Sequence, residues 1–232
     1  ISLLREQNRW EEIIELFHPL EEKEPEIIHF AFDLAIRREI AFALSHLKRF
    51  DEAIKEFECC LEYDPDNFHY HSGLGFALYN SLYAAKNKEI ILPSSKKKER
   101  IKKAHQHLRR AQEIRPDRVT AYYRQAMLYK HIQNKPDKAP PIFETAVQNW
   151  EKYTQEQKKN RHQEYKNYIK SLYNLATCQA EKKQYKQALK SIQKCIQEDN
   201  HKDYIHCKHK YFALGKIQFQ MGKFQQAREA LE

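Results

Sequence analysis

Apolar positions recur at spacings of three and four along most of the chain, and the runs come in pairs separated by short polar breaks. The second run of each pair repeats one pattern. It reads "KRFDEAIKEFECCLEYDPD" around Ala53, "KQYKQALKSIQKCIQED" around Ala188 and "GKFQQAREAL" around Ala227. Looser copies surround Ala104 and Ala139, and "NRWEEIIELFHPLEEKEPE" places Ile13 in the same slot. An aromatic or polar residue stands three before the slot and an apolar one four after it. Pro25, Pro65 and Pro116 each fall 12 residues beyond the slots at 13, 53 and 104. The first run of each pair carries a small residue at its middle: Ala41, Gly75, Ala126, Ala176 or Gly215.

This pattern predicts pairs of antiparallel helices that stack on the next pair, because one pair alone cannot bury its apolar faces. Helices that cross closely need a residue with little side chain, which explains Gly75 and Gly215 despite a cost of about 1 kcal/mol for glycine inside a helix. Gly222 suits the C-terminal cap of a helix, and the prolines end the second helices. A heptad coiled coil would not restart at turns or keep one small residue per pair.

These residues resemble the tetratricopeptide repeat family. Over 34–67 the matching positions are Ile40, Ala41, Leu44, Ala53, Phe57, Cys60 and Pro65; in the last repeat they are Tyr211, Leu214, Gly215, Ala227 and Leu231. The resemblance covers nearly the whole chain. It implies an all-α, right-handed superhelical solenoid of antiparallel helix pairs, a single array over 1–232. The expected divisions are a partial repeat at 1–25, repeats at 34–67, 68–118 (with an insertion at 86–102), 119–152 and 154–202, and a truncated one at 208–232. Pro65 and Pro116 are 51 residues apart, 17 more than a 34-residue repeat allows. The excess, "KNKEIILPSSKKKERIK", reads as an extended first helix, a loop at "LPSS" and a basic lead-in to the second helix. Pro136, Pro140 and Pro141 should delay or distort the helix near them. Residues 154–184 read as one unusually long helix projecting beyond the array. Both ends read as cuts within a longer protein, and a start at Ile1 rather than Met leaves a removed targeting segment open.

Composition narrows the function. No apolar run approaches the roughly 20 residues of a membrane-spanning helix. The five cysteines are odd in number and lie mostly in helical patterns, which points to reduced, buried thiols and a cytoplasmic setting. Residues 1–66 hold 8 Lys/Arg and 17 Asp/Glu, the remainder 33 and 15. Such asymmetry suggests a partner of acidic character for the later part, or else a solvated surface. Four glycines leave no phosphate-cradling loop, and no metalloprotease or nucleophile-elbow motif is present. The one metal-like group is His201, His206, Cys207 and His209; it lacks the second ligand pair of a zinc motif and reads as exposed rings beside a core cysteine. His69/His71 and His105/His107 are two apart and do not share a helix face. A non-catalytic protein without metal or cofactor is expected.

The resemblance implies that first helices line a concave groove. Its candidate residues are Arg38, Phe42, His69, Phe76, Tyr79, Tyr123, Met127, Lys130, Lys170, Tyr173, His209, Phe212, Lys216 and Phe219, with roughly half the rings expected to pack between helices. The Lys–Asn pair with which the family grips a peptide carboxylate is missing: its slots hold Arg38 with Phe42 and Tyr123 with Met127. The leading expectation is therefore a scaffold holding an extended peptide or helix of a partner protein, with aromatic anchors and cations that choose acidic partners. The alternative is an RNA-binding array, resembling the interferon-induced tetratricopeptide proteins. It would use the groove and the basic patch Lys96, Lys97, Lys98, Arg100, Lys102, Lys103, Arg109 and Arg110. Against RNA, the patch should begin an outward-facing second helix, and the acidic first third repels phosphate.

Overall fold

The structure is a computed structural model; it describes residues 1–21, 30–199 and 203–232, and all of their side chains except those of Ser2, 17–21 and 30–33. Pro25 and His201 lie outside the described residues. Among the described residues there are helices and no strands. Contacts divide the chain into two units, Ile1–Pro116 and Asp117–Glu232.

Unit 1 holds α1 (Ser2–Glu6), α2 (Trp10–Glu21), α3 (Phe30–His46), α4 (Phe50–Tyr63), α5 (Phe68–Lys86) and α6 (Ser94–Ile114). Unit 2 holds α7 (Thr120–Met127), α8 (Pro140–Glu151), α9 (Gln155–Lys159), α10 (His162–Glu181), α11 (Tyr185–Glu198), α12 (Cys207–Gln220) and α13 (Phe224–Leu231). Within each unit helices pack in sequential pairs, and each pair packs on the next: α3–α4, α4–α5 and α5–α6 in unit 1, α10–α11, α11–α12 and α12–α13 in unit 2. The first helices of neighbouring pairs also touch, α3 with α5 and α10 with both α7 and α12.

The small-residue slots are where the pairs close. Ile13, Ala53, Ala104, Ala139, Ala188 and Ala227 are at most 3% exposed, so a longer side chain there has nowhere to go. A Cβ on Gly75 would lie 2.6 Å from the buried Leu108 of α6. One on Gly215 would lie 2.7 Å from Leu231 and 3.1 Å from the Ala227 carbonyl oxygen of α13. At Gly75 the buried Leu108 leaves no room for a side chain; at Gly215 the exposed Leu231 can move aside, and the Ala227 carbonyl oxygen is the group that resists one.

The turn inside each pair follows one rule. Asn8, Lys48, Lys88, Asn134, Lys183 and Gly222 stand between first and second helices, and each has a positive φ. In five of the six, the next N–H donates to the carbonyl five residues back: Arg9 to Leu4, Arg49 to Leu44, Glu89 to Ala84, Gln184 to Gln179 and Lys223 to Gln218. This is the Schellman C-cap. At Asn134 the matching bond, Lys135 to Tyr129, spans six residues because a π-helical turn at Leu128–Ile132 precedes it. Left-handed backbone costs a residue with a Cβ about 1–2 kcal/mol, and lysine fills it three times. Lys183→Gly is therefore expected to stabilise the protein by about 0.5–1 kcal/mol, read as a higher urea midpoint; an unchanged or lower midpoint would refute the strain argument.

The irregular segments follow in part. Helix α5 is long, 19 residues against 14 in α12, a loop at 87–93 follows it, and α6 begins at Ser94 with the basic stretch, so Ser94 and Ser95 of the expected loop are helical. Around the prolines a 3₁₀ turn at Pro136–Lys138 leads to α8, which starts with Pro140 at its first position. The single long helix expected over 154–184 is absent. Thr154 and Gln157 form a reciprocal capping box that starts α9, the helix ends at Lys159, and α10 starts afresh at His162. Helix α10 does not project: Glu164, Asn167, Tyr168 and Ile169 are buried, and Tyr168 stacks on Trp150 of α8 with ring centroids 5.6 Å apart.

Candidate functional site

In unit 2 the seating of α10 against α7 is a polar construction. The Glu164 carboxylate, 3% exposed, accepts from the Val119 N–H at 2.5 Å, the Thr120 hydroxyl at 2.7 Å and Arg118 Nε at 3.3 Å. It satisfies donors at the start of α7 and offsets the helix dipole there. Asn167 Nδ2 donates to Thr120 Oγ1 at 2.9 Å, and the Tyr153 hydroxyl donates to the Asp117 carbonyl at 2.8 Å. Burial lowers the Arg124 guanidinium to about 10, and nearby Glu164 works in the opposite direction.

That seating brings the expected slots of α7 and α10 together. Lys130, carried on the π-helical turn, donates to Asn174 Oδ1 at 3.0 Å and Thr177 Oγ1 at 2.7 Å. Asn174 Nδ2 donates to the Lys170 carbonyl at 2.8 Å. Burial holds both Lys130 and Lys170 below the ordinary lysine range; at Lys170 the neighbouring Lys166 adds to the effect. Tyr123 tilts on the buried Phe143 with centroids 6.3 Å apart and Met127 packs on the same cluster, while Tyr173 packs on the main core of unit 2.

Helix α12 is seated by a buried ion pair. Asp199, 3% exposed, accepts from the N–H groups of Tyr204 and Ile205, each at 3.0 Å. Its Oδ2 accepts from Lys210 Nζ at 2.9 Å, and that ammonium also donates to the Asp199 carbonyl at 3.1 Å. Burial pulls the Lys210 ammonium down, and Asp199 more than offsets this, leaving it above its ordinary range. On α12 the expected residues His209, Phe212, Lys216 and Phe219 are all exposed, Phe212 by 64% and Phe219 by 57%.

In unit 1 the expected residues split. Phe42 meets the buried Phe57 edge-on at 5.3 Å and Phe76 at 6.1 Å, with the Arg5 guanidinium 5.1 Å above its ring. Phe76 also meets His46 at 5.7 Å, and His46 stacks flat on Trp10 at 3.9 Å. Tyr79 stacks on Tyr83. Arg38 and Arg5 both pair with the buried Glu39. His69 is exposed at the start of α5, one ring away from Phe68.

Opposite charges within unit 1 meet each other. Arg100 of the basic patch pairs with Asp51, Lys103 with Glu58 at 3.0 Å and Arg110 with Asp66 at 2.6 Å, so the acidic side of α4 and its following turn faces the basic side of α6. Lys96, Lys98, Lys102 and Arg109 remain exposed, and Lys97 is half-buried. His71 and His107 join across α5 and α6, Nδ1 to Nδ1 at 2.9 Å, while His71 Nε2 donates to the Pro65 carbonyl. Burial drives His107 to about 4, with His71 and Lys103 adding to it. The His206 ring caps α12 by accepting from the Lys208 N–H, and Cys207 is exposed, not the core cysteine expected; among the described residues no group of three or more metal-type side chains converges. Glu164, Asn174, Asp199 and His46 escaped the sequence reading because they themselves lie outside the slots that a repeat pattern examines. The Asp199–Lys210 spacing of 11 residues across a turn carried the only local signal.

Comparison with known proteins adds the family context. Residues 39–67, 169–202 and 211–232 match the tetratricopeptide repeat model; they lie in α3–α4, α10–α11 and α12–α13. No curated protein matches the chain. Among solved structures it is similar to TTC0263, described as a thermophilic TPR protein in Thermus thermophilus, with a TM-score of 0.62 and 13% identity over 98% of this chain and 95% of that one. PilF of Pseudomonas aeruginosa gives 0.61 and 12% over 85% and 73%. MamA (41-end) from Desulfovibrio magneticus RS-1 gives 0.58 and 15% over 85% and 90%. At these identities the likeness is one of fold, the helical repeat.

Proposed function

Because the chain belongs to the tetratricopeptide repeat superfamily, we propose that it is a non-catalytic scaffold whose first-helix faces hold a peptide or helix of a partner protein. One observation carries the reading: the first-helix slots of each unit keep large rings accessible, Phe76, Tyr123 and Tyr173 braced by neighbouring rings or the core and Phe212 exposed on α12. Rings already fixed lose little entropy on binding and bury much area, which is how hot spots work. The division of charge in unit 1 favours this over RNA, since three of the patch cations are engaged by carboxylates. None of the five cysteines is in a disulfide, which fits a reducing, cytoplasmic setting. Among the described residues no helix is long and apolar enough to cross a membrane.

Immobilised protein is expected to retain a defined set of partner proteins from nuclease-treated lysate. Tyr173→Ala with Phe212→Ala should lose that set by tenfold or more, whereas Lys97→Ala on α6 leaves it unchanged. Loss of every partner on nuclease treatment would overturn the reading in favour of RNA.

A further inference from the structure

Charge is divided between the units in a way that the whole-chain balance hides. Residues 1–116 hold 19 Lys/Arg and 20 Asp/Glu, while residues 117–232 hold 22 and 12, a balance of −1 against +10. Part of the excess in unit 2 lies on its first-helix face. Positions 130, 170, 209 and 216 there carry Lys or His; positions 120, 123, 127, 173, 177, 180, 212 and 219 are uncharged, and none of the twelve is Asp or Glu. Spacings of three and four put each helix's set on one side of it. Lys170 then neighbours Tyr173 on α10, and Lys216 stands between Phe212 and Phe219 on α12.

Lys130 is held by the neutral side chains of Asn174 and Thr177, with Cys178 and the Glu181 carboxylate also acting on it. Asn174 is buried, with its Oδ1 on Lys130 and one amide N–H on the Lys170 carbonyl, so it offers little surface to a terminal carboxylate. Phe212 and Phe219 are more than half exposed. Tyr123 and Tyr173 pack on the core and remain part-exposed, so a partner's side chains can still reach them.

Resting on the scaffold reading above, we infer that unit 2 selects an internal acidic segment of its partner protein, which sets aliphatic or aromatic side chains on Tyr173, Phe212 and Phe219 and Asp or Glu side chains on Lys170 and Lys216. Complementary charge gives specificity and speeds encounter, while the rings supply most of the binding energy. Burial of Lys170 favours the same occupant, because a carboxylate beside it relieves the desolvation of the ammonium.

The test is fluorescence anisotropy of the full chain with labelled, C-terminally amidated peptides of alternating Leu/Phe and Glu, the same peptides with Gln for Glu, and a uridine oligonucleotide. The acidic peptides should bind roughly tenfold more tightly than the Gln peptides, and Lys170→Glu with Lys216→Glu should abolish that preference with helicity intact. Equal binding of both peptides, with no effect of the charge reversal, overturns the acidic preference. If Phe212→Ala with Phe219→Ala still weakens both peptides, the scaffold reading survives that result; if it weakens neither, that reading falls too. Tighter binding of the oligonucleotide than of any peptide also overturns the inference.

Discussion

Replacing Asp199 with alanine is expected to lower the free energy of unfolding by about 3–5 kcal/mol, measured by urea titration followed by circular dichroism. The carboxylate is buried and does three things at once. It accepts the Tyr204 and Ile205 N–H groups, and it balances the Lys210 ammonium at 2.9 Å. Alanine strands the two backbone donors and leaves a buried cation with, among the described residues, the residue-199 carbonyl and Asp203, 3.5 Å away, for compensation. Removing one partner of a buried pair costs more than removing both, because the survivor's charge stays desolvated. The double change Asp199→Ala with Lys210→Met should therefore recover part of the loss. A cost under about 1 kcal/mol for the single change would show that the pair does not seat α12.

Glu164→Ala comes second, at about 3–4 kcal/mol. This carboxylate closes the N-terminal end of α7 from 44 residues away, through Val119 and Thr120, and also holds Arg118. Its loss leaves a buried amide and hydroxyl without their acceptor and removes the negative charge nearest the buried Arg124. Glu164→Gln keeps an acceptor of the same shape and should cost noticeably less. The damage should be local first: hydrogen exchange in α7 and the π-helical turn is expected to accelerate ahead of α12 and α13. Uniform acceleration throughout unit 2 would contradict a local seating role.

Both residues mark the boundary of what could be read from the chain. Positions whose meaning is steric and periodic were legible: Ala53, Ala104 and Ala188 are fully buried, Gly75 and Gly215 sit at close approaches, and Gly222 has the expected positive φ. Each is determined by its own helix pair, so a repeat alignment exposes it. The lysines at 48, 88 and 183 were not legible as caps, because nothing in lysine favours left-handed backbone; the pair geometry imposes it. The break between α9 and α10 was missed for a different reason. The segment has helical composition, and the deciding signal was the four-residue capping box from Thr154 to Gln157. The charge asymmetry is visible in the sequence, but not that part of it is met inside unit 1 by contacts 44, 45 and 49 residues apart. For the candidate faces, the repeat pattern only proposes slots, and it does not reveal that Lys130, on a π-helical turn, meets Asn174.

The charge pairs along α6 have a consequence for how such a chain assembles. Alanine slots and glycine crossings are nearly interchangeable from one hairpin to another, so greasy surfaces alone do not dictate the order of stacking. Arg100, Lys103 and Arg110 find Asp51, Glu58 and Asp66 in only one neighbour arrangement. They act as an address label: a hairpin stacked in the wrong place would set unmatched charges against each other, and the correct sequence of layers is the one that cancels them.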